Sequence, residues 1–184
     1  MAIEDSLPTT IMDVKDHRHR ILDTPTGRFY VKTDAQGGIR TGWMAMLERA
    51  GSTPGSLEEL GPEDQDLRPD LCLRILEAMN GISVDFADVD IAPGTPFQRA
   101  IWRATREIGP GSVLSYGRLA AKVGRPGAAR AVGQAMRRNR QPIITPCHRV
   151  VSTSGIGGFG GENEDGTSPA IKIKLLRAEG MSRV

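Results

Sequence analysis

The sequence predicts an α+β fold in which a strand-rich N-terminal half precedes a helical and basic C-terminal half. Short segments rich in β-branched and aromatic residues, separated by Gly and Pro turn signals, fill much of the first half. Two short helical patterns joined by a Gly-containing turn mark the second half. The charge also changes sign, since residues 1–93 hold 9 Lys and Arg against 17 Asp and Glu, a net charge of −8, whereas residues 94–184 hold 15 against 5, a net charge of +10. These observations predict two domains, 1–93 and 94–184.

Length and cysteine content narrow the class of protein. The chain of 184 residues is long enough to bury a core. Its N-terminus lacks a basic start followed by an apolar run, and no segment reaches the roughly 18 apolar residues of a membrane span. Cys72 and Cys147 are too few and too far apart for a disulfide framework or a zinc knuckle. We therefore expect a soluble protein with no membrane partner, whose two thiols stay reduced in the cytoplasm.

The first half is predicted to form an antiparallel meander followed by a helix. The segments "RFYVKT" and "IRTGWM" have strand composition and are flanked by turn signals. Residues 50–69 are acidic and rich in Gly, Ser and Pro, which is typical of a connecting loop. In "DLCLRILEAMNG" the apolar residues Leu71, Ile75 and Met79 recur at helical spacing, and Asn80-Gly81 ends the helix. Cys72 lies beside this stripe and is predicted to be a small core residue.

The second half opens with three predicted helices. Thr95 is the N-cap of "PFQRAIWRATREI", and Ser115 is the N-cap of "YGRLAAKV". After Gly124 and a short turn, "GAARAVGQAMRRN" supplies a basic helix. The last two helices match a helix-turn-helix, although an ordinary helical hairpin fits the same spacing.

A β-rich stretch, "PIITPCHRVV", and a glycine-rich hairpin or turn, "STSGIGGFGG", follow this helix pair. The chain then forms a last helix in "SPAIKIKLLRAEG", with Ser168 as N-cap and Gly180 as its stop. A helix pair followed by strand-like segments is typical of a winged helix-turn-helix. Between Arg99 and Arg149 the only acidic residue is Glu107, so this domain would attract a polyanion. Alternatively, these basic residues form an ordinary solvent-exposed surface that binds no partner.

Cys147 raises the question of chemistry, because it is followed directly by His148. A thiol reacts as its thiolate and needs a nearby group to take its proton. In a strand the two side chains would point to opposite faces, which disfavours direct contact between them, and a water molecule could bridge them. A structural Cys-His pair is the alternative from these residues alone.

Five motifs in order, "GTPFQRAIW", "SYGRLAAKVG", "ARAVGQAMRRN", "PCHRV" and "GFGG", resemble the O6-alkylguanine-DNA alkyltransferases, which repair DNA by direct reversal. The resemblance implies a ribonuclease-H-like α/β domain at 1–93 and a winged helix-turn-helix domain with the reactive cysteine at 94–184. It also implies a monomer that flips an alkylated guanine, with O4-alkylthymine as an open alternative, out of duplex DNA and keeps the alkyl group irreversibly. No cofactor and no metal are expected.

The resemblance implies a role for each matching residue. Cys147 is the alkyl acceptor, His148 takes the thiol proton through a water, and Glu179 orients His148. Asn139 braces the turn around the site, and Tyr116 rotates the target phosphate and protonates the departing guanine. Arg130 fills the gap left by the flipped base. Further DNA contacts are expected from Ser115, Ala129, Gly133 and Arg137, and the base pocket is expected to comprise Met136, Val150, Phe159 and Gly160.

Three alternatives have different consequences for Cys147. A lesion sensor of the alkyltransferase-like class binds O6-alkylguanine without chemistry, but such proteins replace the acceptor cysteine. A winged-helix regulator that senses alkylation would need a further domain, for which this chain has no room. A thiol hydrolase would use Cys147, His148 and Glu179 but gives no reason for the basic helix pair.

Overall fold

The computed structural model describes residues 17–34, 36–49, 60–157 and 167–182. The N-terminal half begins with a three-stranded antiparallel sheet in the order β1-β2-β3. In the register, Phe29 lies opposite both Leu22 and Trp43. The rings of Phe29 and Trp43 meet edge to face with centroids 4.9 Å apart, so cross-strand packing fixes the sheet. The predicted meander is confirmed, with strands β1 Arg18–Leu22, β2 Phe29–Thr33 and β3 Ile39–Trp43.

Two helices complete the described part of this half, α1 Met44–Arg49 and α2 Pro69–Met79. Helix α2 buries Leu71, Ile75 and Met79 as the spacing predicts, and its C-cap is Asn80. The predicted core position of Cys72 is also confirmed, because the residue is 2% exposed and its thiol donates to the Leu67 carbonyl at 3.4 Å. Of the predicted connecting loop, residues 50–59 lie outside the described ranges.

The three predicted helices of the second half are present as α3 Pro96–Arg106, α4 Tyr116–Lys122 and α5 Ala129–Arg137. Thr95 and Gln98 form a capping box at the start of α3. The Ser115 hydroxyl accepts a hydrogen bond from the Arg118 amide at the start of α4. The Trp102 indole donates to the Ala135 carbonyl at 2.9 Å and so ties α3 to α5.

The segment around Cys147 differs from the predicted β-rich stretch. Cys147–Arg149 form a 3₁₀ helix, and only Val150–Val151 form a strand, β5, which pairs in parallel with β4, Leu114–Ser115. The prediction was wrong because proline lacks the N–H that a strand ladder needs, and two prolines, Pro142 and Pro146, precede the cysteine. Ile143 between them has φ of 75°, which breaks any extended run.

The last helix, α6 Thr167–Ala178, begins one residue before the predicted cap and is followed by Gly180 with φ of 88°. It buries Ile171, Leu175 and Leu176. Among the described residues no helix combines the length and the apolar composition that crossing a bilayer requires.

A shared core joins the two halves. Buried apolar residues from the sheet, α2, α3, α5 and α6 belong to one hydrophobic cluster. The buried Gln141 side chain donates to the Ile39 carbonyl at 3.0 Å and accepts from the Ala92 amide at 2.9 Å. The fold is thus a mixture of helices with an antiparallel sheet, while the division at residues 93 and 94 and the ribonuclease-H-like character of the first part stay predictions.

Candidate active site

Cys147 stands at the start of the 3₁₀ helix and is 8% exposed. The turn before it is held by Asn139, whose side-chain amide donates to the Thr145 carbonyl at 2.8 Å and whose carbonyl accepts from the Gln141 amide at 3.0 Å. The Arg106 guanidinium fixes Thr145 from the other side through its hydroxyl at 3.1 Å. Because the turn lacks strand pairing, these side-chain contacts set the position of the thiol.

Glu179 connects the end of α6 with the two residues after Cys147. Nε2 of His148 lies 2.8 Å from Oε1 of Glu179, and the Arg149 guanidinium donates to the same oxygen at 2.9 Å. The second carboxylate oxygen accepts from the Gly111 amide at 3.2 Å. The side chains of His148 and Glu179 are only 3% and 1% exposed, so water does not screen this contact. Arg149 is held further by the Ile108 carbonyl at 2.6 Å.

Burial and neighbouring charges determine the protonation states of His148 and Glu179. Burial lowers the pKa of His148 more than the neighbouring Glu179 raises it, so the imidazole is neutral at pH 7. Burial opposes ionisation of Glu179, but its bonds to His148 and Arg149 outweigh burial and lower the pKa of the carboxyl. A carboxylate can only accept a hydrogen bond, so Nε2 of His148 carries the proton and Nδ1 has the free lone pair.

Nδ1 of His148 is buried, and no hydrogen-bond partner for it exists among the described residues. The hydrogen bond between His148 and Cys147 involves the backbone of His148 and lowers the pKa of the thiol. The 3₁₀ helix replaces the predicted strand, so the two side chains do not alternate across a sheet. The arrangement leaves one imidazole nitrogen able to accept a proton beside the cysteine turn.

The thiol is in an environment that both opposes and assists ionisation. Burial raises the pKa of Cys147, while the hydrogen bond with Asn139 and the charge of Lys172 act in the opposite direction. Lys172 is 0% exposed, and its ammonium donates to the Val150 carbonyl at 2.7 Å. Burial lowers the pKa of Lys172 to about 8. The group is therefore mostly charged at pH 7.

The sequence motifs predict no role for Lys172 or Arg149. The sequence does contain a spacing pattern that points to Lys172. This residue precedes Glu179 by seven residues, or about two helical turns, so both side chains lie on the same face of the helix. Arg149 pairs with Glu179, which is 30 residues away in the chain, and no pattern in the sequence around Arg149 predicts this contact.

The other predicted catalytic residue, Tyr116, is the first residue of α4 and is partly buried. Burial raises the pKa of its phenol, and the charge of Cys147 raises it further. A methyl group at Gly157 would approach the Tyr116 hydroxyl to 3.2 Å, so the glycine-rich segment passes close to it. Tyr116, Cys147 and Gly157 thus lie close together.

Two of the predicted base-pocket residues are described, and both are buried: Val150 at 0% and Met136 at 8% exposure. Phe159 and Gly160 lie outside the described residues. The electrostatic effect of Cys147 on Tyr116 places Tyr116 near the same site.

The predicted DNA face of α5 is solvent-accessible. Arg130 and Arg137 are exposed, and Ala129 and Gly133 are partly exposed. A methyl group on Gly133 would meet nothing within 4 Å, so this part of the helix is open to a close partner. Ser115 is partly exposed and its hydroxyl caps α4.

The chain is similar to known proteins over this same region. A family model described as the DNA binding domain of 6-O-methylguanine DNA methyltransferase matches residues 96–181. Methylated-DNA–protein-cysteine methyltransferase of Salmonella typhimurium is 55% identical over 88 residues, which are 47% of this chain and 48% of the relative. The constitutive enzyme of that name in Bacillus subtilis is 46% identical over 90 residues, 48% and 52% of the two chains. The match thus spans about half the length of these curated relatives.

Similarity to solved structures extends over both halves. The O6-methylguanine methyltransferase of Mycobacterium tuberculosis superposes with a TM-score of 0.68 at 30% identity, covering 89% of this chain and 92% of that one. The same organism's OGT in complex with DNA gives a TM-score of 0.69 at 30% identity, covering 88% and 92%. The O6-methylguanine-DNA methyltransferase of Pyrococcus kodakaraensis gives 0.59 at 26% identity, covering 90% and 99%.

Proposed function

We propose that this chain, which belongs to the O6-methylguanine DNA methyltransferase family, repairs duplex DNA by moving the alkyl group of O6-alkylguanine irreversibly onto Cys147. It would act once per molecule, as a methylated-DNA–protein-cysteine S-methyltransferase without a cofactor. The observation that carries the proposal is the buried cysteine turn, in which His148 follows Cys147 and bonds to Glu179 at 2.8 Å. O4-alkylthymine is a further candidate substrate.

The first step is activation of the thiol. His148 is neutral, and its Nδ1 lone pair accepts the thiol proton through a bridging water. Glu179 then stabilises the imidazolium that forms, since its carboxylate is already hydrogen-bonded to Nε2. Asn139 and Lys172 stabilise the developing negative charge on sulfur.

The second step is an in-line displacement at the alkyl carbon. The Sγ–C bond forms while the C–O6 bond breaks, and the electron pair moves onto the guanine ring. Tyr116 supplies a proton to the guanine, and the proton taken by His148 returns to Tyr116 through solvent, so that charge balances. The products are unmodified guanine and an S-alkylcysteine, which has no leaving group for a second turnover.

Access to the base requires that the nucleotide rotate out of the helix stack. Arg130 enters the vacated space from the start of α5, and Ala129 and Gly133 let this helix approach the groove closely. Ser115 and Arg137 contact the phosphate backbone beside it. Met136, Val150, Phe159 and Gly160 enclose the extruded base.

The working form is a monomer on double-stranded DNA that contains alkylated guanine. A monomer suffices, because one helix, α5, in one groove can reach a lesion that has no palindrome. A reducing, cytoplasmic setting is part of the proposal, since both cysteines are free thiols and the reaction consumes one of them.

The direct test replaces the acceptor. Cys147→Ala should transfer no radiolabelled methyl from an O6-methylguanine duplex yet still bind that duplex more tightly than unmodified DNA. Cys72→Ala, which removes the other buried thiol, is the matched control and should transfer one methyl as the wild type does. Residual transfer by Cys147→Ala would refute the assignment.

A further inference from the structure

We propose that a basic cleft between the two halves binds the phosphate backbone of duplex DNA beyond the segment that α5 contacts, an inference that extends the function proposed above and rests on its DNA binding. The basic cleft has a volume of about 1060 Å³, and four arginines line it: Arg40 from β3, Arg99 and Arg103 from α3, and Arg140 from the segment before Cys147. A pocket for a compact small molecule has roughly 300–1,000 Å³, so a space of this size suits an extended ligand.

The charge of the basic cleft favours an anionic ligand. Seven basic and four acidic side chains line it. The four arginines named above are exposed, and none of them forms an ion pair within the residues that the structure describes. An entering anion therefore meets an excess of positive charge that no carboxylate of the described chain neutralises.

The acidic side chains of the basic cleft already have partners of their own. These partners are the Gly38 amide for Asp34 at 2.7 Å, Arg74 for Asp88 at 2.6 Å, Lys122 for Glu107 at 2.9 Å, and the charge of Arg106 for Asp90. Acids that are engaged in this way oppose a bound anion less than free carboxylates would, because their charge is partly compensated.

The backbone holds the arginines of the basic cleft in place. Arg99 and Arg103 lie one turn apart on the exposed face of α3, whose opposite face buries Ile101 and Trp102. Arg40 is brought to Arg140 by the next residue of β3, since the Thr41 amide donates to the Arg140 carbonyl at 3.0 Å. Side chains of like charge repel one another, and an anion between them removes the repulsion.

The basic cleft continues the surface expected to face DNA. Arg40 and Arg140 also line a second concavity, which includes Cys147 and Arg137 of α5. Basic side chains thus extend without interruption from the C-terminal end of α5, past the opening beside the cysteine, to α3. A phosphate backbone that lies along α5 can follow this surface into the basic cleft.

The lining of the basic cleft favours the backbone of a duplex over a single strand or an acidic protein. No Phe, Tyr or Trp is among the described residues that line it, whereas sites for single-stranded nucleic acid stack bases on aromatic side chains. Arginine binds phosphate through two parallel N–H groups, which gives it geometric selectivity for the DNA backbone. An acidic protein surface is left as an outcome of the test.

The experiment measures the salt dependence of binding to an unmodified duplex of about 30 base pairs, or three helical turns. Arg99→Gln/Arg103→Gln should weaken binding at least fivefold at low salt. The slope of log K against log salt should become shallower by up to about 2, since each phosphate contact contributes about 0.9. Arg28→Gln/Arg177→Gln is the matched control, because it removes the same charge from two exposed positions outside the basic cleft. All three proteins should react with free O6-benzylguanine at one rate.

A shorter duplex identifies the source of the phosphates. With about 12 base pairs, little more than one turn, the DNA on α5 does not reach the basic cleft. If the cleft binds flanking DNA of the same duplex, the variant and the wild type then bind equally. If it binds a second duplex, the difference persists, and the wild type brings together two short duplexes that carry a donor and an acceptor fluorophore.

Three results would overturn the proposal. The first is an unchanged salt slope and affinity in Arg99→Gln/Arg103→Gln, and the second is an equal loss in the control. The third is a variant that binds duplex normally but loses affinity for polyglutamate, which would assign the basic cleft to an acidic protein. Absence of transfer from an O6-methylguanine duplex to wild-type Cys147 would overturn only the proposed function, since the salt slope is measured on unmodified DNA.

Discussion

At the scale of single residues, the Glu179 carboxylate organises the candidate site, because His148, Arg149 and the Gly111 amide all bond to it. Its charge raises the pKa of His148 against the larger effect of burial. Protonated His148 cannot accept the thiol proton. The transfer rate should therefore fall as pH drops through the lowered pKa of His148, which lies below the ordinary value of 6.5.

Replacing Glu179 tests how far its charge offsets the effect of burial on the pKa of His148. Glu179→Gln removes the charge that raises the pKa of His148, so the acid limb of the rate profile should move to lower pH. The plateau rate should fall about 100-fold, since the imidazolium loses its counterion. Single-turnover transfer measured between pH 5 and 8 gives both values, with Glu77→Gln on α2 as the control. A wild-type midpoint above pH 6.5, or an unchanged plateau in Glu179→Gln, contradicts the assigned roles.

Lys172 offers a second test at this scale. Its ammonium lowers the pKa of the Cys147 thiol, so Lys172→Met should raise that pKa and slow transfer roughly tenfold at pH 7, or about 1.4 kcal/mol in the barrier. Thiolate absorbance against pH, in a Cys72→Ala background, reports the thiol pKa separately from the rate. Lys174→Met, which removes an exposed ammonium on the same helix, should change neither quantity. A slower reaction with an unshifted thiol pKa would assign Lys172 a packing role only.

At the scale of elements, α5 is expected to serve base extrusion and not the chemistry. Arg130→Ala should therefore slow repair of duplex O6-methylguanine at least tenfold and leave the reaction with free O6-benzylguanine nearly unchanged, because the free base needs no flipping. Arg138→Ala, at the exposed C-cap of α5, is the matched control. Equal losses on the two substrates would argue against a base-flipping role for Arg130.

Local signals predicted the helices and failed at the cysteine turn, for a physical reason. Thr95 and Ser115 cap their helices with atoms three residues away, so a short window of sequence contains the whole interaction. The shape of the turn at Cys147 depends on a hydrogen bond from Asn139. The Arg149 side chain is held by Glu179, which lies 30 residues further along the chain. Such long-range contacts have no periodicity, and only the family resemblance placed Glu179 in the site.

At the scale of the whole molecule, Gln141 joins the two halves. Its buried amide bonds to Ile39, Asp90, Ala92 and Arg106. The charge pattern predicted two separate domains but gave no sign of this contact, since a single glutamine beside a proline carries no signal of burial. The shift in charged residues thus predicted that the two halves differ in surface charge. It could not predict the core that they share, because that core depends on tertiary packing.

Gln141→Ala should lower the free energy of unfolding by about 1–3 kcal/mol, because buried backbone groups and the Arg106 guanidinium lose their partner. Denaturant titration followed by tryptophan fluorescence and by circular dichroism measures the change. Gln65→Ala, at an exposed site, should have no effect. If Gln141→Ala is as stable as the wild type, Gln141 does not join the two halves.

The central claim, that one alkyl group is transferred to Cys147, is tested most directly by mass spectrometry. The intact protein is mixed with a slight excess of duplex that carries one O6-methylguanine, and peptides are then sequenced. The account predicts a gain of one methyl group per molecule, located on Cys147, with no further gain at longer times. An unchanged mass despite lesion-specific binding would contradict it and would mean that the site recognises damage without repairing it.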